Sequence, residues 1–540
     1  MRPASDFELI VGLTGAMLGL ELLARRLRLP PAAAFLAGGA VLALLPGTPD
    51  VELDPDLALV LFLPPLLLVS AFLTPRREFR RGLPVILELS VGLVLFTTLV
   101  VGVVAHWVMP GLPWAACFAL GAIVAPPDAV SAKAVLQGLP LPPRLLVLLE
   151  GESLLNDASS LVLYRFAVAA ALTGTFDAGR SAISFVEVAA GGVIAGIVFG
   201  LAAGMLLSRL SDARLHVVGG FLVAWGSYIA ADRMHVSGVL STVTCGLLLS
   251  WRRDTLPSAD VRLQTRAVWA AAMFVLEGLV FILIGLSLRG VMQRLGGGSE
   301  AIIVLPGIAA IVAAVIGARF AWIMSASYLE RAILPALRRR DPHLPIGLPL
   351  VMSWAGMRGM VSLAAALALP EDFPGRDVIL ASAFAVILVT VLVQGTTLEP
   401  LIRAVCRDDS IRHDVAKLSQ SEARAKIAGV QLGAVEKRWA RADGTHRHPD
   451  LIAHYDLRNR VAAQLGEAGR TFAPAHDEHF DTVLSAVAAG RAELIRLHRL
   501  DKIQDSVLRA LEQELDLEEV TASLSPSPMP LRQDGAAKRP

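Results

Sequence analysis

The chain has 540 residues, of which 54% are hydrophobic and 18% are charged. A soluble globular domain carries roughly 25% charged residues, so this balance indicates a membrane protein. The formal net charge of +1 excludes a bulk electrostatic attraction to nucleic acid. The three cysteines are scattered, and their spacing fits neither a paired metal site nor a disulfide framework. The N-terminal run MRPASDFELIVGLTGAMLGL lacks a signal-peptide cleavage signature and predicts a retained helix.

Apolar segments of roughly 17–25 residues, the length that crosses a bilayer, occupy most of the chain up to residue 402. We count about thirteen of them, some short or interrupted. They centre on residues 7–24, 32–45, 56–74, 85–109, 114–135, 145–173, 182–207, 215–231, 235–250, 267–289, 301–329, 346–369 and 377–401. The sequence therefore predicts an all-α polytopic membrane protein.

The loops between these segments indicate an orientation. Basic clusters such as RRLR (25–28) and RREFRR (76–81) follow the first, third, ninth and eleventh segments. The intervening loops, such as PGTPDVELDPD (46–56), are neutral or acidic. The positive-inside rule then predicts an outside N-terminus, a cytoplasmic C-terminus and an odd number of helices.

The composition changes after the last apolar segment. We predict a transmembrane domain over residues 1–402, a cytoplasmic helical regulatory domain over 403–520 and a disordered Ser/Pro-rich tail over 521–540. The stretch THRHPD (445–450), with His454, resembles a loose metal site or a pH sensor in composition. A solvated loop accounts for that stretch better.

The fifth segment contains GAIVAPPDAVSAKAV (121–135), in which Pro126 and Pro127 predict an unwound helix at mid-membrane. Asp128 follows at the start of the resumed half-helix, where the helix dipole favours a carboxylate. Irregular backbone at membrane depth persists only where it is buried or lines a cavity, and its freed carbonyls can bind a cation. A kinked packing helix with a capping Asp is the simpler alternative, but the adjacent acid favours a functional site.

The sixth segment contains LLEGESLLND (148–157) inside an apolar run that continues to about residue 173. Ionised groups inside a membrane are costly and usually functional. On a helix Ser153 and Asp157 share a face, so a hydroxyl and a carboxylate together suit a hard cation or a proton. Structural pairing with basic residues is the alternative, which we favour for Glu152 but not for Asp157. Glu150 either pairs in the same way or lies close to a cytoplasmic funnel.

The twelfth segment, VMSWAGMRGMVSLAAALALP (351–370), has an intramembrane Arg358 between Gly356 and Gly359. A buried cation needs a partner, and Glu152 is the candidate. The fifth and twelfth segments run in opposite directions through the membrane. Two interrupted helices in corresponding positions of oppositely oriented halves predict an inverted-repeat transporter with a site near the midplane.

Two further features of the apolar segments need an explanation, a second arginine and a stripe of glycines. Arg319, in VIGARFAWI, is a second buried cation that pairs either with Asp128 or with a half-helix end. A stripe of glycines at four-residue spacing in the seventh segment predicts close helix approach, as a dimer face or as internal packing. These glycines are Gly192, Gly196, Gly200 and Gly204.

Three stretches, GAIVAPPDAV, LLEGESLLNDASSLVLYRFAV and WAGMRGMVSLAAAL, resemble signature segments of the sodium/proton exchangers. These form the electroneutral branch of the monovalent cation/proton antiporters, and the chain resembles a bacterial-type member over roughly residues 7–402. LFLPPLLLVSAF (61–72) resembles the third helix of the family. The resemblance implies about thirteen helices with an inverted repeat and two discontinuous crossing helices. It also implies a core domain moving against a dimerisation domain, and a homodimer in the inner (plasma) membrane.

The resemblance also implies roles for individual residues. Asp157 is expected to bind the cation and the proton in turn, with Ser153 supplying a hydroxyl ligand. Asn156 marks the Asn-Asp pair of electroneutral members. Asp128 matches the acid at the helix crossing, and the carbonyl of Pro127 matches a backbone ligand. No cofactor is expected, and no metal beyond the transported monovalent cation.

Glu152 and Arg358 match a buried ion pair that stiffens the core of the family fold, and two other positions depart from the family pattern. Pro127 stands where many members have Thr, which removes a side-chain oxygen. Val69 stands where many members carry an acid, with Ser70 beside it. The missing acid bears on the cation affinity and on the preference among Na⁺, Li⁺ and K⁺.

These features predict a secondary active antiporter rather than an enzyme, exchanging a monovalent cation, Na⁺ as the first expectation, for H⁺ in pH and sodium homeostasis. With Asn156 neutral, one proton exchanges for one cation by alternating access without net charge movement. A K⁺/H⁺ antiporter of the same fold is the alternative. An intramembrane aspartyl hydrolase using Asp128 and Asp157 is a distant one, since a Gly-x-Gly-Asp stretch is absent. A gated channel fits a cation-for-proton carboxylate less well than stepwise exchange does.

Overall fold

The described residues of the chain form helices, turns and loops without a strand. The computed structural model describes residues 3–27, 29–46, 55–128, 132, 136, 143–175, 177–210, 212–251, 259–294, 298–333, 347–405, 420–439, 449–467, 473–500, 511 and 514–519. The chain divides into two compact units, residues 1–413 and 414–540. The prediction of an all-helical protein is confirmed for the described residues.

The first unit contains the apolar helices. In chain order they are α1 (Pro3–Leu27), α2 (Pro31–Leu44), α3 (Pro55–Leu73), α4 (Arg76–Leu87), α5 (Val94–Val108), α6 (Trp114–Val124), α7 (Pro143–Thr173), α8 (Ala178–Leu207), α9 (Ala213–Arg233), α10 (Gly238–Trp251), α11 (Ala259–Leu286), α12 (Leu288–Arg294), α13 (Gly298–Ile333), α14 (Gly347–Trp354), α15 (Met360–Leu367), α16 (Arg376–Val389) and α17 (Gly395–Val405). Two π-helical turns, π1 (Glu88–Leu93) and π2 (Thr390–Gln394), join α4 to α5 and α16 to α17.

Six helical stretches among the described residues are long and apolar enough to cross a membrane. They are Arg76–Val108, Ala178–Leu207, Ala213–Arg233, Val261–Arg294, Val304–Ala326 and Arg376–Val405. Shorter apolar helices are Pro31–Leu44, Leu59–Leu73, Trp114–Val124 and Gly238–Trp251. The architecture is that of a multi-pass helical membrane protein, while the number of thirteen spans and the inverted repeat stay predictions.

Two helices are interrupted at the positions that the prolines and glycines predict. α6 ends at Val124, and residues 126–128 are not helical. α14 ends at Trp354, residues 356–359 are not helical, and α15 begins at Met360. Proline removes backbone donors from the first interruption, because it has no N–H. The carbonyls freed at both sites need other donors, which the site supplies.

α2 and α11 pack against each other at very close range. A Cβ at Gly39 would collide with the carbonyl of Ile282, and one at Gly285 with the carbonyl of Leu36. The largest apolar cluster of the first unit surrounds this contact and includes Phe35, Leu36 and Ile282. α11 also contacts α1, α3, α9 and α15.

The glycine stripe of α8 packs inside the chain. A Cβ at Gly192 would meet Ser237 and Leu240, and one at Gly196 would meet Ser241 and Thr244, all on or next to α10. Gly200 faces Cys245 and Leu248 of the same helix. Of the two predicted uses of the stripe, these contacts are internal packing of α8 on α10.

The second unit contains α18 (Gln420–Trp439), α19 (Pro449–Glu467) and α20 (Ala473–Arg499), and α18 packs on α19. Arg491 of α20 pairs with Asp516 at 2.6 Å and with Glu519 at 2.7 Å. The regulatory role and cytoplasmic location of this region stay predictions. The predicted tail (521–540) and most of the THRHPD stretch (445–448) lie outside the described residues.

Candidate functional site

α7 carries its polar side chains into the interior of the first unit. The side chains of Glu152 and Asn156 are 1% and 0% exposed, and that of Asp157 is 6% exposed. Ser160, one turn further along, donates a 3.0 Å hydrogen bond from Oγ to the carbonyl of Ala122 in α6. The helix therefore holds an acid, an amide and a second acid in a region from which water is largely excluded.

The two unwound segments meet beside α7. The amide nitrogen of Asp128 donates a 2.6 Å hydrogen bond to the carbonyl of Met357, so each interruption satisfies a backbone group of the other. Asn156 Nδ2 donates to the carbonyl of Pro127 at 3.1 Å. Its Oδ1 has no hydrogen-bond partner among the described residues. Asn156 thus fixes the backbone oxygen that the sequence suggests as a ligand.

Arg358 donates hydrogen bonds to the backbone carbonyls that have no helical partner at the two interruptions. Its Nε donates to the carbonyl of Val124 at 3.0 Å and one terminal nitrogen donates to Ala125 at 3.4 Å. The other terminal nitrogen donates to the carbonyl of Gly356. Its backbone N–H donates to Thr390 Oγ1 in π2 at 3.1 Å. One guanidinium therefore joins the end of α6 to the loop between α14 and α15.

The predicted pairing of Glu152 with Arg358 is wrong. Glu152 instead binds Arg319 through two parallel hydrogen bonds, 2.5 Å from one terminal nitrogen to Oε1 and 2.9 Å from the other to Oε2. Both side chains are 1% exposed. The planar fork of arginine matches a carboxylate in this way, whereas the donors of Arg358 are directed at carbonyls. Arg319 Nε also donates to Met352 in the last turn of α14, so the predicted half-helix end is one of its partners.

Glycine is required where the crossing segments approach most closely. A Cβ on Gly359 would overlap the Cβ, Cγ and Oδ2 atoms of Asp128. A Cβ on Gly356 would overlap the side chain of Arg319. The two glycines that flank Arg358 in the sequence therefore make room for an acid on one side and a base on the other.

A cavity of about 50 Å³ lies next to the crossing. One water molecule needs roughly 10–15 Å³ on this scale, so the cavity has room for a small ion with a few waters. Its polar side chains come from several helices and from the first interruption. They are Ser70, Asp128, Glu150, Ser153, Asp157, Glu277 and Ser362. Three predicted ligand residues, Asp128, Ser153 and Asp157, thus line one cavity together with Pro127.

Two lining residues were missed by reasoning from the sequence. Glu277 lies in α11, within the predicted apolar segment 267–289, so an acid in an apolar run was the signal that could have identified it. Ser362 lies in α15 and carries no comparable signal, because serine is common in apolar helices. On the α3 side, Val69 packs with the apolar cluster while Ser70 lines the cavity.

The arrangement can bind a hard cation or a proton. Carboxylate, hydroxyl and carbonyl oxygens are the ligands that such cations prefer. Asp157 contributes a nearly buried carboxyl group, and an uncompensated charge there is costly. Either a proton or a bound cation would remove that cost.

Comparison with known proteins agrees with this geometry. The family model described as "Sodium/hydrogen exchanger, transmembrane" matches residues 12–404. A protein of Mycobacterium tuberculosis named as an uncharacterized Na⁺/H⁺ exchanger is 32% identical over 527 residues, covering 95% of each chain. A sodium, potassium, lithium and rubidium/H⁺ antiporter of Bacillus subtilis is 34% identical, covering 68% of this chain and 57% of its own length.

The fold has a solved counterpart. The structure of the sodium proton antiporter MjNhaP1 from Methanocaldococcus jannaschii at pH 8 superposes with a TM-score of 0.54 at 18% identity. The match covers 75% of this chain and all of that one. Since the family model spans most of the chain and the mycobacterial relative nearly all of it, the protein belongs to the sodium/hydrogen exchanger family of multi-pass membrane antiporters.

Proposed function

We propose that the chain exchanges one monovalent cation, Na⁺ in the first place, for one proton at Asp157. The observation that carries this proposal is the cavity that holds Asp157, Asp128 and Ser153 beside two unwound helices. Antiporter membership makes the chain a transporter, so we do not propose the aspartyl hydrolase. In this mechanism Asp157 carries either the cation or the proton, never neither, through each conformational change.

Electroneutral exchange follows from the neutrality of Asn156. Its amide adds no second titratable charge next to Asp157 and is engaged with the carbonyl of Pro127. One carboxyl group that alternates between a proton and a monovalent cation then moves no net charge per cycle. Ser153 and the Pro127 carbonyl would complete the oxygen shell of the cation.

Exchange at a single buried carboxyl group requires alternating access from the two sides of the membrane. We propose that a core containing α7 and the two interrupted helices moves against a dimerisation domain, in a homodimer of the inner (plasma) membrane. The N-terminus then lies outside and the C-terminus in the cytoplasm, where residues 403–520 form a helical regulatory domain. The cellular role is pH and sodium homeostasis.

Potassium is the second candidate cation. The Bacillus subtilis relative is named for sodium, potassium, lithium and rubidium together. In this chain α3 offers Val69 and Ser70 rather than an acid near the cavity. Fewer charged ligands weaken the discrimination between ions that all prefer oxygen. Broad cation use would therefore fit this chain as well as strict Na⁺ exchange.

Proteoliposomes test the proposed exchange directly. Vesicles are loaded with a pH-sensitive dye at acid internal pH, and Na⁺, Li⁺ or K⁺ is added outside while the membrane potential is clamped. We expect lumenal alkalinisation whose rate does not depend on the clamped potential, and the rates rank the cations. A current that accompanies exchange would contradict the one-to-one ratio. No response from folded protein to any of the cations would overturn antiport.

Gly359→Ala should impair exchange by displacing Asp128. The added methyl group overlaps three atoms of that side chain, and overpacking of this kind costs about 1–3 kcal/mol. We expect the exchange rate at low cation concentration to fall about 10-fold or more, measured in the same proteoliposomes. Gly226→Ala in α9 is the matched control, because a Cβ there meets nothing within 4 Å. Equal exchange rates for both variants would show that the close approach of Gly359 to Asp128 does not matter for exchange.

A further inference from the structure

The cavity has a carboxylate on α11, which lies apart from α7 and from the two interruptions in the chain. Glu277 is partly buried and lines the same cavity as Asp157. It lies within the apolar stretch Val261–Arg294, where an acid is costly unless it serves an ion or a partner. Val280 and Phe281, one turn further along α11, line the cavity beside it. This face of α11 is therefore a wall of the ion cavity.

A buried hydroxyl group points to a ligand in the same space. Ser362 of α15 is 1% exposed and lines the cavity. Its Oγ has no hydrogen-bond partner among the described residues. Buried polar atoms are nearly always satisfied, and a hydroxyl that faces a cavity is satisfied by what fills that cavity. Its lone pairs suit either a cation or a water that the cation retains.

The α3 wall does not supply an acid of its own. Leu63, Leu66 and Leu67 line the cavity from α3, with Ser70 as the polar member. Val69 packs instead with the apolar cluster. α3 and α11 are in contact, so the carboxylate of this side of the cavity comes from Glu277. A cation that approaches Asp157 through the cavity therefore passes between walls that carry Glu277 and Ser362.

We propose that Glu277 and Ser362 form an accessory site for the transported monovalent cation. This accessory site holds the ion while it loses water, before or after Asp157 binds it, and sets the apparent affinity for the cation. The inference rests on the proposed exchange at Asp157. The chemistry is that of a hard cation with carboxylate and hydroxyl oxygens. Proton transfer itself stays with Asp157.

Initial rates of exchange against cation concentration test the accessory site. For Glu277→Gln in proteoliposomes we expect the apparent KM for Na⁺, or for K⁺, to rise about 10-fold or more, as for the loss of one charged ligand. The maximal rate should stay within about 3-fold of wild type, because Asp157 is intact. Glu277→Asp should recover most of the affinity. Ser362→Ala should raise the KM by a smaller factor, about 3-fold.

Glu187→Gln in α8 is the matched control, since Glu187 is an exposed acid of another apolar helix and does not line the cavity. An unchanged KM for both Glu277→Gln and Ser362→Ala would overturn the accessory site. A fall in the maximal rate alone, not rescued by Glu277→Asp, would also overturn it and assign Glu277 a structural role.

Cation-dependent thermal stability of the purified protein separates this inference from the proposed function. A cation that binds the folded protein raises the melting temperature, and the stabilisation grows as RT ln(1 + L/Kd), where L is the free cation concentration. We expect Glu277→Gln to need about 10-fold more NaCl than wild type for the same rise in melting temperature, with choline chloride as the ionic-strength control. Stabilisation of wild type without exchange would defeat the antiport proposal but leave the accessory site standing. Cation/proton exchange together with equal NaCl dependence of the melting temperature for wild type and Glu277→Gln would leave the antiport proposal standing and overturn the accessory site.

Discussion

Asp157→Asn is expected to abolish cation-driven proton movement, leaving an initial rate below about 1% of wild type. The carboxyl group is 6% exposed and lines the cavity with Asp128 and Ser153. An amide at this position neither takes up a proton nor neutralises a cation, so both halves of the exchange lose their carrier. The measurement is the rate of lumenal alkalinisation after addition of Na⁺, Li⁺ or K⁺.

The same variant should lose most of the thermal stabilisation that a bound cation provides. Ligand at 100 times its dissociation constant stabilises a folded protein by about 2.7 kcal/mol, so the wild-type melting temperature should rise with NaCl, and that of Asp157→Asn should rise much less because only the accessory site remains. Asp232→Asn is the control, because Asp232 is exposed and pairs with Arg165 only at 3.4 Å. Exchange by Asp157→Asn at even a tenth of the wild-type rate would place the carrier on another residue.

The interruptions of the two helices were predictable because their causes are local. Pro126 and Pro127 remove two backbone donors from an apolar segment, and Gly356 and Gly359 weaken the helix around Arg358. A proline pair alone is not sufficient, because Pro64 and Pro65 lie inside the continuous helix α3. The burial of Asp157 was predictable for a similar reason, since an acid inside an apolar segment lies away from the water-exposed surface. In each case the neighbours in the chain favour the observed structure, and for the prolines the adjacent acid Asp128 adds to the signal.

The partner of Glu152 was not predictable in this way. Two arginines, Arg319 and Arg358, lie in apolar segments, and segment positions alone do not say which of them reaches the carboxylate. The number of backbone carbonyls without a donor explains, once the fold is known, why Arg319 and not Arg358 binds Glu152. Unwound helices leave carbonyls without donors, and Arg358 lies inside one interruption, so its donors are used there. Arg319 then remains for Glu152.

The positions of the cavity-lining residues Glu277 and Ser362 were also not predictable from the sequence. Glu277 could be recognised as an unusual acid from its apolar surroundings, but its place beside Asp157 depends on how α11 packs on α2 and α3. Ser362 and the π2 turn that receives the Arg358 amide have no sequence signal of their own. Contacts between distant segments depend on helix tilt and packing, which local pattern does not encode.

Arg319→Gln is expected to destabilise the fold more than any exposed charge substitution in the chain. It leaves the Glu152 carboxylate buried at 1% exposure without its fork of donors, and breaking a buried pair costs about 3–5 kcal/mol. The measurement is the melting temperature and the yield of folded protein in detergent. Arg165→Gln removes an exposed partner of Asp232 and should cost at most about 1 kcal/mol.

A second substitution in Glu152 separates the observed pairing from the one that the sequence suggests. Because neutral side chains need no counter-charge, Glu152→Gln in the Arg319→Gln background should restore most of the lost stability. Glu152→Gln should not rescue Arg358→Gln, whose loss leaves the carbonyls of Val124 and Gly356 without donors. If instead the Arg358 variant were rescued and the Arg319 variant were not, Glu152 would pair with Arg358 in the membrane. The ion pair would then belong to the crossing itself, and movement of α14 and α15 would have to break it in every transport cycle.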